Sequence, residues 1–159
     1  MQLKRGCKGI WLVLPLIALD RILKQLVANL LAPRGVKEVV PGVISWAYAE
    51  NRGAAFSMMS GRGILLIVLS VILVAALTVY LFRHPDMKKG LRYGLWMIVA
   101  GGIGNLYDRI AYGFVVDFIR LDFINFAIFN PADVFICAGA ALAALSMLAS
   151  EMKGKKHNG

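Results

Sequence analysis

The chain has 159 residues, of which 59% are hydrophobic and 17% are charged, and its formal net charge is +9. A soluble domain typically has roughly 45–50% apolar and about 25% charged residues. The composition therefore argues against a soluble nucleic-acid binder, in spite of the positive charge. It predicts a single integral membrane domain over residues 1–159, with the basic residues on the membrane flanks.

Four apolar segments are long enough to cross a bilayer, namely residues 10–31, 63–82, 91–109 and 132–150. Each has about the 20 residues that a helix needs to span a hydrocarbon core of ~30 Å. The second segment carries no charge. The first follows a basic start and could be read as a signal peptide, but it contains Asp20, Arg21 and Lys24. Charges inside the apolar run indicate an uncleaved helix instead.

The distribution of Lys and Arg predicts the orientation of these spans. Ten basic residues lie in the N-terminal segment, in the loop after the second span and in the C-terminal tail, whereas six lie on the opposite side. We therefore expect both termini to be cytoplasmic. Residues 32–62 and 110–131 are then expected to lie outside.

The first outer segment contains a strand pattern over residues 43–50. Ile44, Trp46 and Tyr48 alternate with smaller residues, so they share one face of a strand. The Asn-Arg-Gly turn signal that follows predicts a hairpin with a second short strand at 54–59. Because aromatic residues collect at membrane interfaces, the hairpin is either an interfacial anchor or a platform that holds an extended substrate by strand addition.

Polar residues recur within the first and third spans. Asp20 and Lys24 lie four residues apart and share a helix face, either as a structural ion pair or as support for a polar pocket. Asn105, Asp108 and Arg109 cluster on one face at the end of the third span. The glycines that precede them are expected to let a neighbouring helix approach closely.

Two aspartates flank the second outer segment. Asp117 follows the third span, and Asp133 falls in the first turn of the fourth, after a predicted N-cap at Asn130 and a first helical residue at Pro131. Each has a plain explanation alone, as a loop acid or as an acid that complements a helix dipole. Because both lie at one membrane face, we expect them to converge. One of two converged carboxylates holds a proton, and aspartic proteases use such an acid and base to attack a peptide bond with water.

Three other functions remain open from the residues alone. A serine–lysine peptidase could use Ser45, Ser57 or Ser60 with Lys24 or Lys37, but no spacing connects them. A proton-coupled transporter would favour acids near the midplane between repeats, whereas these acids cluster at the outer face. A structural membrane subunit would leave the two aspartates without a reason to converge.

Neither a metal site nor a disulfide framework is expected. Cys7 and Cys137 are the only cysteines, and His84 and His157 are isolated in basic polar segments. No second ligand occurs at metal-binding spacing. The sequence assigns no role to either cysteine.

Five blocks of residues, in order over nearly the whole chain, resemble the bacterial lipoprotein signal peptidases, or type II signal peptidases. The blocks are DRILK at 20–24, NRGAAF at 51–56, GGIGNLYDR at 101–109, VVDFIR at 115–120 and FNPAD at 129–133. The expected fold is therefore a membrane all-α, four-transmembrane-helix bundle with a small extracytoplasmic β-hairpin or cradle and an interfacial segment.

The resemblance implies a monomeric membrane aspartyl endopeptidase, without metal or cofactor, in the bacterial cytoplasmic (inner) membrane, with its active site at the outer face. It would remove signal peptides from diacylglyceryl-modified prolipoproteins by cleaving before the lipidated cysteine. Its partners would be diacylated signal peptides and membrane lipid, and not nucleic acid. Carried over by motif, the catalytic pair is Asp117 and Asp133. The supporting positions are Asp20, Lys24, Asn51, Asn105, Asp108, Arg109 and Asn130.

Overall fold

The computed structural model describes residues 8–31, 35–53 and 62–157. In these ranges the chain forms four helices, which are α1 Val13–Leu31, α2 Gly63–Arg83, α3 Lys89–Tyr112 and α4 Pro131–His157. A short 3-10 turn, Ile10–Leu12, precedes α1. The helices are accompanied by a small sheet of β1 Val36–Val40, β2 Ile44–Asn51 and β3 Val115–Leu121. Each of the four predicted spans coincides with a helix.

Two helices in the described part of the chain, Gly63–Arg83 and residues 131–149 of α4, are long and apolar enough to cross a membrane. On α2 only Leu66 and Leu81 are buried, so most of its apolar side chains face outward. An outward-facing apolar surface of this kind suits lipid better than water. By contrast, α1 and α3 contain charged residues within their spans, and these charges belong to the site described below.

The glycines of α3 allow three different neighbours to approach it. A Cβ atom on Gly101 would collide with the backbone of α4 at Ala132, and one on Gly102 would come 2.9 Å from Val74 of α2. A Cβ on Gly104 would lie 2.8 Å from the Asp20 carboxylate of α1. The close helix approach expected from these glycines is therefore present, and α3 is the central helix of the bundle.

The sheet is antiparallel, with the order β1-β2-β3. The strand predicted at 43–50 is present as β2, but its described partners are β1 and β3. The predicted second strand at 54–59 lies outside the described residues. In β2, Ala49 is paired with Asp117 of β3, beyond a register shift that follows Trp46. The sheet thus fixes the position of Asp117 against β2.

The aromatic face of β2 packs on α1. Trp46 and Tyr48 lie against buried Val27 and Leu31 of that helix, and the Trp46 ring makes an edge contact with Phe118 at 6.2 Å. This apolar cluster joins the sheet to the bundle. The Trp46 ring is therefore a packing element between β2 and α1.

Candidate active site

The start of α4 is organised by a reciprocal cap. The Asn130 side-chain oxygen accepts a hydrogen bond from the Asp133 backbone N–H at 3.0 Å, and the Asp133 Oδ2 atom accepts one from the Asn130 N–H at 3.2 Å. This is the capping-box geometry, with an aspartate in the third helical position. The N-cap expected at Asn130 is therefore present. It leaves the other oxygen of Asp133 available to its surroundings.

Asp117 lies on β3 and is 2% exposed. Its two oxygens accept hydrogen bonds from Asn51 Nδ2 at 2.9 Å and from Asn130 Nδ2 at 2.6 Å. Asn130 therefore contacts both carboxylates, Asp117 with its side chain and Asp133 through the cap. The two aspartates that sequence reasoning paired are brought together on either side of one asparagine.

The environment of Asp117 disfavours its charged form. Burial, followed by the nearby charge of Asp133, raises the pKa of Asp117 to about 6. The two amide donors, from Asn51 and Asn130, act in the opposite direction because they stabilise the carboxylate. A carboxyl group with such a pKa can hold or release a proton close to neutral pH, which suits acid–base chemistry.

Asn105 connects Asp133 to the interior of the bundle. Its Nδ2 donates to Asp133 Oδ1 at 2.7 Å. Its Oδ1 accepts from Lys24 Nζ at 3.0 Å and from Asn130 Nδ2 at 3.1 Å. The predicted supporting residues on the first and third spans thus lie in one continuous network with the aspartates.

Lys24 is fully buried, and its ammonium group lies between two carboxylates. Its Nζ atom is 3.0 Å from Asp20 Oδ2 and 2.9 Å from Asp108 Oδ2. These acids also bind backbone, since Asp20 accepts from the Ala132 N–H at 3.0 Å and Asp108 from the Val116 N–H at 3.2 Å. The ion pair expected from the spacing of Asp20 and Lys24 therefore fastens α1 and α3 to β3 and to the start of α4.

Arg21 belongs to the same cluster, although sequence reasoning gave it no site role. It forms an ion pair with Asp108, donates to the Tyr112 hydroxyl at 3.1 Å and lies 4.4 Å from the centre of the Tyr107 ring. A signal was available, because a charge inside a span needs a partner. With Arg21 included, two acids and two bases balance in this cluster.

Arg109 holds the turn that follows β2. Its guanidinium donates to the Gly53 carbonyl at 3.1 Å and to the Asn105 carbonyl at 3.4 Å. In the same turn, the Gly53 N–H donates to Asn51 Oδ1 at 3.0 Å. Arg109 thereby helps to position Asn51 beside Asp117.

Asp117 and Asp133 open onto one cleft of about 980 Å³. Asn51, Asn105 and Arg109 complete its polar part. The remaining wall is largely apolar and comes from the segment after β3 and from α4. It includes Phe126, Ile128, Phe129, Val134, Ile136 and Cys137.

The sequence did not point to several features of this cleft. Glu50 lies at its polar edge, and Cys137 is exposed one turn beyond Asp133. Trp46, expected to hold a substrate, is not among the described lining residues, because its ring is directed at α1. No group of three or more His, Cys, Asp or Glu side chains suited to a metal ion occurs among the described residues.

A cleft with paired carboxylates, at the junction of an apolar helix bundle and a small sheet, defines a membrane-embedded enzyme. The family model described as signal peptidase (SPase) II matches residues 12–149 of the chain. The chain therefore belongs to the signal peptidase II family and is a peptidase.

Curated relatives agree with this assignment. A lipoprotein signal peptidase of Streptococcus pneumoniae is 39% identical over 90% of this chain and 94% of its own length. One of Streptococcus thermophilus is 39% identical over 91% of this chain and 94% of its own. One of Streptococcus agalactiae is 36% identical over 90% and 92%.

Solved structures share the fold. Two structures of bacterial membrane enzymes superpose with TM-scores of 0.85 and 0.81, at 25% and 26% sequence identity. The first covers 91% of this chain and 89% of its own, and the second covers 89% and 92%. The small sheet and the helices thus follow the architecture of a membrane enzyme.

Proposed function

We propose that the chain is a membrane aspartyl endopeptidase that removes signal peptides from diacylglyceryl-modified bacterial prolipoproteins, cleaving before the lipidated cysteine. One observation carries the proposal. Asp117 and Asp133 share a cleft and are bridged by Asn130, which donates to Asp117 Oδ1 and caps α4 together with Asp133. Paired carboxylates of this kind supply the acid and the base that peptide hydrolysis by water requires.

The chemistry follows from the two charge states of the pair. The ionised carboxylate takes a proton from a water molecule, whose oxygen attacks the scissile carbonyl carbon. The protonated carboxyl group donates its proton to the carbonyl oxygen, so that a neutral tetrahedral intermediate forms. Its collapse breaks the C–N bond, and a carboxyl group passes a proton to the departing amine of the lipidated cysteine. Both carboxyl groups then return to their starting states.

The two kinds of cleft wall suit the two ends of such a substrate. The polar part, with Asn51, Asn105 and Arg109, lies beside the aspartates and would contact the peptide backbone or the polar atoms of the modified cysteine. The apolar part, with Phe126 and Val134, leads away from them along α4. Acyl chains bury about 0.8 kcal/mol per CH₂ group in a membrane, which would concentrate the substrate at this boundary.

The same geometry supports four spans with the site at the outer face. The charges that make α1 and α3 less apolar are mostly buried, with Asp20, Lys24 and Asp108 all within 1% of full burial. Paired charges inside a bundle need not contact lipid. We infer a multi-pass monomer of the cytoplasmic (inner) membrane, with both termini cytoplasmic, as the Lys and Arg distribution indicates.

The serine–lysine alternative has little support from the contacts of its residues. Ser45 is buried, and its hydroxyl donates to Asp122 at 2.5 Å. Lys24 is bound by Asp20, Asp108 and Asn105. Ser57 and Ser60 lie outside the described residues. We expect Ser45→Ala, Ser57→Ala and Ser60→Ala each to retain most of the activity.

The experiment that tests the proposed function is cleavage-site mapping. The purified protein in detergent is incubated with a prolipoprotein peptide carrying a diacylglyceryl cysteine, and the products are identified by mass spectrometry. The expected product begins with the lipidated cysteine. Cleavage at another bond, or no cleavage by folded wild-type protein, would reject the proposal.

A further inference from the structure

Two of the three asparagine side chains around the carboxylate pair are held in one orientation by the backbone. The Gly53 N–H donates to Asn51 Oδ1 at 3.0 Å, and the Asp133 N–H donates to Asn130 Oδ1 at 3.0 Å. A backbone N–H can only donate, so each carbonyl oxygen must face it. The NH₂ groups of both asparagines are therefore directed at Asp117.

The third asparagine, Asn105, is held by a side chain. Lys24 Nζ donates to Asn105 Oδ1 at 3.0 Å, and an ammonium group likewise has no acceptor. The NH₂ group of Asn105 consequently faces Asp133, to which it donates at 2.7 Å. Lys24 is itself fixed by Asp20 and Asp108, so its three donors have three partners.

We propose that Lys24 is a positioning residue that acts on Asp133 through Asn105. By occupying the Asn105 carbonyl oxygen, it keeps the Asn105 NH₂ group directed at Asp133, which then remains the ionised member of the pair. The inference rests on the proposed aspartyl peptidase function and extends it to a residue that cannot reach the substrate. Lys24 is fully buried behind Asn105.

The asymmetry of the pair assigns the two roles. Asp133 has the Asn105 amide on one oxygen and the Asn130 N–H, at the start of a helix, on the other. A helix N-terminus favours an anion. Asp117 is on a strand and almost fully buried, which favours its protonated form. Asp133 is thus the base that activates water, and Asp117 is the acid that protonates the carbonyl oxygen.

Without Lys24, the Asn105 amide is free to turn and present its oxygen to Asp133. Two acceptors would then face each other unless Asp133 binds a proton and donates it. The base would be lost at a pH where the wild-type protein is active. The signature of this positioning role is therefore a shift of the acidic limb of the pH–rate profile, and not only a lower rate.

Asn105→Asp is the sharpest test, because it preserves shape. An aspartate at this position still accepts from Lys24 and Asn130 but has no NH₂ group for Asp133. We expect the acidic limb of kcat/KM for the lipidated peptide to move up by about one pH unit or more. The rate loss relative to wild type should then be at least about tenfold greater at pH 6 than at pH 8.

A second variant tests the same point from the other side. Lys24→Met combined with Asp20→Asn removes one positive and one negative charge and should produce the same shift. Thr78→Val on α2, whose hydroxyl bonds only its own helix at Val74, is the matched control and should leave the limb in place. Because a variant could be too slow to assay, the titration of [4-¹³C]Asp-labelled protein by NMR is recorded in parallel.

Wild-type limbs in both test variants would overturn the inference, as would unchanged proton uptake by the aspartate pair in the NMR titration. A variant that unfolds is judged by the other variant, since the two disrupt opposite ends of one bond. Wild-type protein that fails to cleave would reject the proposed function instead. The carboxyl titration would still report on the link between Lys24 and Asp133.

Discussion

Replacing Asp117 by Asn should remove activity and, at the same time, make the protein relatively more stable at neutral pH. The pKa of Asp117 rises from an ordinary value of 3.8 to about 6, chiefly because the group is buried. Since the folded pKa is the higher one, the folded state holds this proton more tightly than the unfolded chain. The associated stability is fully present below about pH 4 and is lost as the pH rises through about 6.

The magnitude follows from the shift. About two pKa units correspond to at most about 3 kcal/mol, at 1.36 kcal/mol per unit. The wild-type protein loses this amount between about pH 4 and pH 7, whereas the amide that replaces the carboxyl group in the variant does not ionise. The amide also forfeits one of the hydrogen bonds from Asn51 and Asn130, but that cost is the same at both pH values. The change with pH therefore isolates the ionisation of Asp117.

The assay is thermal unfolding in detergent at pH 4.5 and pH 7.5, followed by tryptophan fluorescence. The stability of Asp117→Asn relative to wild type should increase from the lower to the higher pH. Asp122→Asn is a matched control of opposite sign, because the Ser45 hydroxyl lowers the pKa of Asp122. A stability difference for Asp117→Asn that is constant with pH, or that decreases, would refute the reasoning.

Further predictions concern the substrate, the cleft wall and the topology. The same prolipoprotein peptide without its lipid should be cleaved far more slowly, as measured by product formation, and equal rates would point to a general membrane peptidase. Phe126→Ala should raise KM more than it lowers kcat, because the ring would bind ground state and transition state alike; Phe123→Ala, on the same segment but not lining the described cleft, is the control, and equal effects of the two would contradict this role. Reporter fusions after Arg83 should be cytoplasmic and those near Glu50 external, and an external signal after Arg83 would invert the proposed topology.

Local patterns were sufficient to predict the helices and the meeting of the two aspartates. The uncharged run at 63–82 allows little but a spanning helix, and it appears as Gly63–Arg83. The meeting of Asp117 and Asp133 was predictable because the N-cap at Asn130 fixes where α4 begins. In each case the information lies within one turn or one span of the residue concerned.

The sheet and the polar network could not be predicted in the same way. The strand β1 is exposed at every residue, so it has no alternation to reveal it, and β2 and β3 are far apart in the chain. The direction of the Trp46 ring depends on the register shift in β2 and on contact with α1. Likewise, the link from Lys24 through Asn105 to Asp133 joins three helices, and no local spacing encodes it.

The central claim, that Asp117 and Asp133 carry out the hydrolysis together, is tested most directly by cleavage of the diacylated peptide by three matched variants. Asp117→Asn and Asp133→Asn should each abolish cleavage while remaining folded in detergent, and a chelator should leave the wild-type rate unchanged. Asp122→Asn, the same chemical change on the same outer segment, should retain most of the activity. Near wild-type turnover by either of the first two variants would contradict the account.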